Sequence, residues 1–466
     1  MKNIRDKIAI IGFGAAGYGT YLSLKEKGFK NIYIYNFINL KKKHEVKNWS
    51  QLALKKNYTI LNNKLGFNTA NSKTYFGNTL NKIKIGNDKI YDNQIGGGLL
   101  NFWGGVMQTF NRQTLQSCLS IKNLDNYYSK ISDNLTISQV VHKNSKQSIY
   151  ANKPNIQCNE YVEKIIEGMS GNSKNFIEND TIIAVSHNNK KNCHCFIGCL
   201  KHTHFKTSNL DLDRSVKVIH EEVEKIDFDK MKVISNFSTQ NFDKIYLNTG
   251  PYYDQKILIQ SSENNPSPII IKDSSSFTFP IYYNGKIKET RVDYSLTNCL
   301  FRIINNKKIL GHIQIYPPID HINKSLYPNF LWNKLTFIKN ISTNRLLWAR
   351  CYLVNEYSQI KNSKHQNKIF SKSNDVKIAQ KEIFRVFKAN LNNQEFIPIN
   401  FFINSKTSSH YASDYEHVTK NILKQTETHY KKKIFFNDSL LWKILPSESP
   451  TFTIMANAFR NVDINL

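Results

Sequence analysis

An apolar run, Ile8 to Ile11, passes directly into Gly12, Gly14 and Gly17, and the residues from Tyr18 to Lys27 carry a helical pattern that stops at Gly28. Asn31 to Tyr35 (NIYIY) follows as a second strand, so the opening of the chain predicts a βαβ unit. A polar, lysine-rich stretch then runs to about Asp92 with no clear period. Leu124 to Leu135 (LDNYYSKISDNL) alternates as an amphipathic helix. Ser215 to Ile219, Val223 to Phe228 and Met231 to Ser235 read as short strands, and Lys244 to Pro251 (KIYLNTGP) as a strand closed by Thr249 and Gly250. Phe277 to Tyr283, Cys299 to Ile304 and Lys308 to Tyr316 (KILGHIQIY) suggest a second sheet, followed by helical patterns between Leu331 and Val386. The expected fold is α/β, a doubly wound Rossmann-like sheet with a small β-meander plus a second, α+β unit.

Composition narrows this picture. The 466 residues are 40% hydrophobic and 12% aromatic, enough for a large core and against disorder. The formal charge of +28 raises nucleic acid as a partner, but the lysines are spread from end to end, a global bias rather than a binding stripe. Lys2, Arg5 and Lys7 precede an apolar stretch as in a signal peptide, yet no small-residue cleavage site follows. No segment offers the roughly 20 apolar residues of a bilayer span, so a cytoplasmic protein is expected. Seven cysteines, an odd number, do not read as a disulfide framework.

The glycines carry the first chemistry. Gly12, Gly14 and Gly17 stand in GxGxxG spacing, with Ala15 and Ala16 between them. The first permits the tight turn, the second lets backbone approach a pyrophosphate, and the third lets helix pack on strand. The phosphates then sit on free N–H groups at the helix N-terminus. The place of the usual ribose-binding carboxylate is held by Asn36, which can still donate and accept. The basic run Lys41 to Lys43 is compatible with a ribose phosphate or with a solvated loop. Gly96 to Gly105 (GGGLLNFWGG) is too glycine-rich for an ordinary helix or strand and too apolar for a solvated loop. It suits backbone pressed against a flat ligand, with Gly97, Gly98, Asn101, Trp103 and Gly104 as candidate wall residues. Gly250, at the end of its strand, reaches the same edge.

These segments, with Ser449 to Val462 (SPTFTIMANAFRNV) at the end of the chain, resemble the glucose-methanol-choline (GMC) family of flavin oxidoreductases, nearest to a bacterial branch found among polysaccharide biosynthesis proteins. The resemblance covers the cofactor half well and the middle poorly. It implies FAD, with its ADP half on the first βα turn and its ring beneath a substrate-binding domain. It also implies an FAD-binding domain over 1–260, a substrate-binding domain over 261–400, and a return segment over 401–466. It would set a helix N-terminus, near Thr451 and Phe452, against the pyrimidine edge of the flavin, where a positive helix end stabilises the charge of the reduced ring. Pro450 suits the first turn of that helix. Family members oxidise alcohols with a histidine base, and His410 in Ser408 to Tyr411 stands at the corresponding place. Ser449 occupies the partner position, commonly Asn or His. Ala412, Ser413 and Asp414 replace the small and Gly-rich residues usual after the histidine.

Cys193, His194, Cys195 and Cys199, followed by His202 and His204, contain enough thiolate and imidazole for zinc, but the spacing is not a standard ligand ladder. A packed structural turn is the preferred reading, with Cys118, Cys158, Cys299 and Cys351 as ordinary buried thiols. The function expected is an FAD-dependent oxidoreductase acting on the CH–OH group of a small alcohol or sugar, with an unassigned electron acceptor. A non-catalytic FAD-binding scaffold is the alternative, motivated by Asn36 and Ser449.

Overall fold

The computed structural model describes residues 4–37, 80–86, 88–93, 97–101, 105–141, 153, 155–170, 176–179, 181–184, 205, 207, 210–262, 267–286, 297, 299–306, 308–318, 345–363, 373–404, 408, 410–425 and 433–466. The cysteine and histidine cluster from Cys193 to His204, the run Lys41 to Lys43, Trp103 and Gly104 lie outside them.

Ile8–Ile11 is apolar on both faces because both faces are covered, as expected of the central strand of a parallel sheet. Its neighbours are Ile32–Tyr35 and Lys244–Leu247, both parallel to it. The five-stranded sheet runs Val216–Ile219, Ile32–Tyr35, Ile8–Ile11, Lys244–Leu247, Ile434–Phe436. In chain order that is 3-2-1-4-5, the doubly wound order whose ligands sit outside the carboxyl ends of the strands where the order reverses. Ile8, Ile10, Ile32 and Ile34 pack toward the helices Ala15–Glu26 and Thr451–Asn465. Ala9, Ile11, Ile245 and Leu247 face the three-stranded meander from Val223 to Asn241 and the helix Pro251–Ser261.

A second, seven-stranded antiparallel sheet is built around Ser276–Tyr283, Leu346–Leu353, Lys308–Tyr316 and Cys299–Asn305, with Phe176–Asn179 as an edge strand drawn from far earlier in the chain. One face carries Phe277, Phe279, Phe301, Ile313, Ala349 and Cys351 and packs on the helix Ser373–Asn390. Of the helical patterns expected between Leu331 and Val386, Ser373–Asn390 is a helix, residues 331–344 lie outside the described residues, and Leu346–Leu353 is a strand: LLWARCYL is apolar nearly throughout and wholly buried, and such a run has no period to separate a buried strand from a helix. Two further differences are local. Leu80–Ile85 and Asp88–Asn93 form a hairpin in the stretch that predicted no element, and Gly98–Asn101 winds into a single 3-10 turn entered by Gly97 and Gly98 at φ 98° and 57°. Cys118, Cys158, Cys299 and Cys351 are buried thiols.

The helices Ala15–Glu26 and Thr451–Asn465 run parallel: Gly19 meets Met455 near their starts, and Lys27 pairs with Asp463 at 2.8 Å near their ends. A Cβ on Gly19 would stand 2.1 Å from the Met455 carbonyl oxygen, so glycine is required by this crossing. Helix propensity alone makes Gly19→Ala stabilising by about 1 kcal/mol, whereas the backbone clash makes it destabilising by about 1–3 kcal/mol. The second outcome is expected, read as a lower urea midpoint for the variant.

Candidate functional site at the carboxyl edge of the parallel sheet

Gly12 leaves the first strand at φ 90°, and a Cβ there would lie 2.5 Å from the Asn248 carbonyl oxygen on the neighbouring strand's exit. Gly17 passes so close beneath that its Cβ would lie 2.1 Å from the Gly12 oxygen. Gly14 heads the helix with no side-chain cap, and the first turn holds no acidic residue, so its N–H groups are left for an anion. Ala15 is half-buried and Ala16 buried behind it.

Asn36, one residue past the second strand, accepts from the Gly97 backbone N–H at 3.3 Å through Oδ1. Its oxygen is thereby used to dock the glycine segment, whose Gly97 oxygen lies 3.8 Å from where a Gly14 Cβ would be. Asn101 closes the same turn. On the far side, Gly250 leaves Lys244–Leu247 at φ 88° with open space where a Cβ would point. Gly12, Asn36, Gly97, Gly98 and Gly250 lie along one edge of the sheet.

Behind Gly250 lies a feature that sequence reading missed. Asp254, fully buried, accepts from the Thr249 N–H at 3.0 Å and from the Thr249 hydroxyl, while Asp438 accepts from the Gly250 N–H at 2.7 Å. Burial and the adjoining Asp438 push the Asp254 carboxyl well above the usual carboxylate range, and burial raises Asp438 as well.

The C-terminal helix begins at Thr451, with Pro450 as its cap rather than within the first turn, no side-chain cap and no acidic residue in the first turn. Thr451 is half-buried. The Phe452 ring is turned into the core against Tyr128, with centroids 4.8 Å apart, and Thr453 Oγ1 bonds the Tyr128 hydroxyl at 2.6 Å. Phe452 thus has only backbone to offer a ligand. Its helix runs parallel to the glycine-turn helix, so the two free N-termini face the same side of the molecule.

The second sheet turns a polar face to this region. Direct cross-strand partners Arg302, His312 and Tyr352 share it with Gln314, Arg350 and Thr278. All are buried. Burial, with the Arg302 charge adding to it, pushes the His312 imidazole down to about 3, so it is neutral at physiological pH. Arg302 Nη2 donates to Glu448 at 3.1 Å, and Thr114 Oγ1 donates to the same carboxylate oxygen at 3.1 Å. Next to Glu448, Ser449 gives its backbone N–H to Gln108 Oε1 at 3.0 Å.

His410 is half-buried and stacks on Tyr352, ring centroids 4.5 Å apart and planes 15° from parallel, while the Arg350 guanidinium covers Tyr352 at 5.0 Å. Tyr352 carries His410, and Tyr352's neighbours His312 and Arg302 lead to Glu448 and Ser449. The two candidate catalytic positions are joined through this one face. Tyr352, Arg350, Arg302, Glu448 and Asp254 were not anticipated. The usable signal was a basic or imidazole residue inside otherwise apolar strands, as in LLWARCYL and KILGHIQIY.

No family model and no curated protein matches the sequence. The fold does match solved structures. Pyridoxine 4-oxidase from Mesorbium loti superposes with a TM-score of 0.58 at 9% identity, covering 99% of each chain. A variant of the formate oxidase of Aspergillus oryzae, solved for its effect on FAD modification, gives 0.57 at 10% identity over 99% of this chain and 98% of its own. A further formate oxidase structure gives 0.55 at 9% identity. At such identities the likeness establishes the fold, a Rossmann-type sheet with a second sheet domain. None of these names refers to polysaccharide biosynthesis. Among the described residues no helix is long and apolar enough to cross a membrane.

The acid pair generates a pH dependence. A carboxyl whose folded pKa lies above its unfolded value keeps its proton in the folded chain after the unfolded chain has released it. Stability from this group is present at low pH and is lost as pH rises above about 4 toward the folded value. Asp254→Asn retains the acceptor for Thr249 and cannot titrate. Urea midpoints measured from acidic to alkaline pH are expected to fall less with rising pH in the variant than in the wild type.

Proposed function

We propose that the chain is an FAD-dependent oxidoreductase of the GMC type, acting on the CH–OH group of a small-molecule alcohol or sugar, with His410 as the base. The carrying observation is the convergence on one edge of a glycine cradle, two parallel and uncapped helix N-termini, and a histidine stacked on a polar sheet face. The residues present fit FAD. Gly14 leaves room for a pyrophosphate, Gly12 and Gly17 allow the tight turn and close helix packing that bring the helix N-terminus there, and Asn36 keeps its amide N–H for the ribose. Gly97, Gly98 and Gly250 would border the extended cofactor, and the backbone N–H groups at Thr451 and Phe452 would meet the flavin edge. Bound there, FAD supplies the hydride acceptor for the alcohol carbon.

The protein's own part is proton transfer, orientation and water exclusion. A neutral imidazole with a reference pKa near 6.5 accepts a hydroxyl proton close to neutrality, and general-base assistance of this kind is worth about 10²–10⁴-fold. The stack on Tyr352 fixes the imidazole plane. The Ser449 hydroxyl, beside the start of the C-terminal helix, is the candidate partner for the substrate oxygen. The buried sheet face beneath excludes water from the reacting groups.

Anaerobic mixing of the FAD-loaded protein with a panel of primary alcohols and reducing sugars is expected to bleach the flavin with at least one of them. His410→Ala is expected to keep its flavin and reduce it at least about 100-fold more slowly. Undiminished reduction in that variant rejects His410 as base. Flavin that binds tightly and is bleached by no alcohol favours a non-catalytic scaffold, the reading suggested by the short Ser449 side chain.

A further inference from the structure

We infer that Ser408, anchored by the Asp273 carboxylate, is a positioning residue that sets where the His410 imidazole stands. Asp273 Oδ1 accepts both the Ser408 backbone N–H, at 3.0 Å, and the Ser408 hydroxyl, at 2.6 Å. Ser408 Oγ in turn accepts the His410 backbone N–H at 3.0 Å, and the Ser274 N–H donates to the His410 carbonyl at 3.2 Å. Both backbone polar groups of His410 are thus tied to the strand Ile270–Asp273 and the residue that follows it. Every member of this chain except His410 is at least nine-tenths buried.

The anchor is itself held. Lys361 Nζ lies 2.6 Å from Asp273 Oδ2, with both side chains 1% exposed, so one carboxylate oxygen is committed to the ammonium and the other to Ser408. Lys361 also donates to the Lys89 carbonyl at 2.9 Å, and the next residue after His410, Tyr411, accepts the Tyr91 N–H at 2.9 Å on its hydroxyl. The hairpin Leu80–Ile85 and Asp88–Asn93 is thereby clamped to the histidine segment from two points. A buried ion pair contributes little net stability, since desolvation offsets its attraction, but it strongly disfavours any arrangement that leaves one charge alone. Its effect here is to hold Ser408 in one place. The imidazole is then located by two independent contacts, the Ser408 hydroxyl on its backbone and the Tyr352 ring on its face.

This inference rests on His410 as the base, and its test separates the two. Ser408→Ala deletes the hydroxyl link while leaving the Asp273–Lys361 pair intact, and Ser408→Thr restores a hydroxyl. In the FAD-loaded full chain, carbethoxylation by diethyl pyrocarbonate is followed at His410 by mass spectrometry, with exposed His220 as internal standard. Ser408→Ala is expected to change the His410 to His220 reactivity ratio by about threefold or more and to slow flavin reduction by about 10–100-fold. Its apparent substrate dissociation constant should stay within about threefold, because a small misplacement of a catalytic group acts on the reaction more than on binding. Ser408→Thr should return both readouts toward wild type. An unchanged reactivity ratio in Ser408→Ala overturns the inference whatever the kinetics. If His410→Ala reduces flavin normally, the base assignment fails instead, and the reactivity ratio still decides whether Ser408 positions the imidazole.

Discussion

The approach of the Met455 carbonyl to Gly19 is the contact on which the geometry of the site depends. It sets the C-terminal helix against the helix of the glycine turn at a separation that no larger residue allows, and the Lys27–Asp463 pair fixes the same two helices near their ends. A buried polar ladder locks their register: Asn461 donates to Asn437, Asn437 to the Thr20 hydroxyl, and Thr20 to Asn248 at the exit of the neighbouring strand. Because the helices are parallel, two free N-termini from opposite ends of the chain are delivered to one side, where an elongated anionic ligand can use both.

The second sheet is attached to this frame by charge as well as by packing. Arg302–Glu448 and Lys361–Asp273 are both almost fully buried and both cross between segments far apart in sequence. Arg302–Glu448 links the polar sheet face to the start of the C-terminal helix, and Lys361–Asp273 joins the neighbouring strands Gln359–Asn362 and Ile270–Asp273 of a small three-stranded sheet and ties them to Ser408 and the hairpin. Pairs of this kind select an arrangement more than they stabilise it. The opposite face of the sheet, with Phe277, Phe279, Ile313 and Cys351 against the helix Ser373–Asn390, provides the hydrophobic burial. The sheet therefore divides its work by alternation: apolar positions hold it to a helix, and polar positions turn toward Glu448 and the ring of His410.

Much of this was legible in the chain. The glycine turn could be read because its steric demands are local: Gly12 and Gly17 need the space of a missing Cβ, and that requirement is written in the residues themselves. Four strands of the parallel sheet and two of the meander were readable as short apolar runs bounded by turn residues, whereas Ile434–Phe436 and Thr239–Asn241 were not. Leu346–Leu353 was not, because full burial on both faces erases the period that separates strand from helix. Gly19, Asp254, Asp273 and Arg302 were missed for a different reason. Each also matters through a partner that folding brings from far along the chain, Met455 for Gly19, Asp438 for Asp254, Ser408 for Asp273 and Glu448 for Arg302, and the sequence around it does not mark that pairing. His410 was singled out only through resemblance, and its stacking on Tyr352 is information of tertiary structure alone.

The central claim is that the edge lined by Gly12, Asn36, Gly97 and Gly250 binds FAD. The most direct measurement is the visible spectrum of the full chain after incubation with FAD and gel filtration, with the flavin released by acid and counted per chain. The account predicts bands near roughly 370 and 450 nm, a property of the flavin itself, eluting with the protein at one flavin per chain. A folded protein that elutes colourless after FAD loading would contradict it.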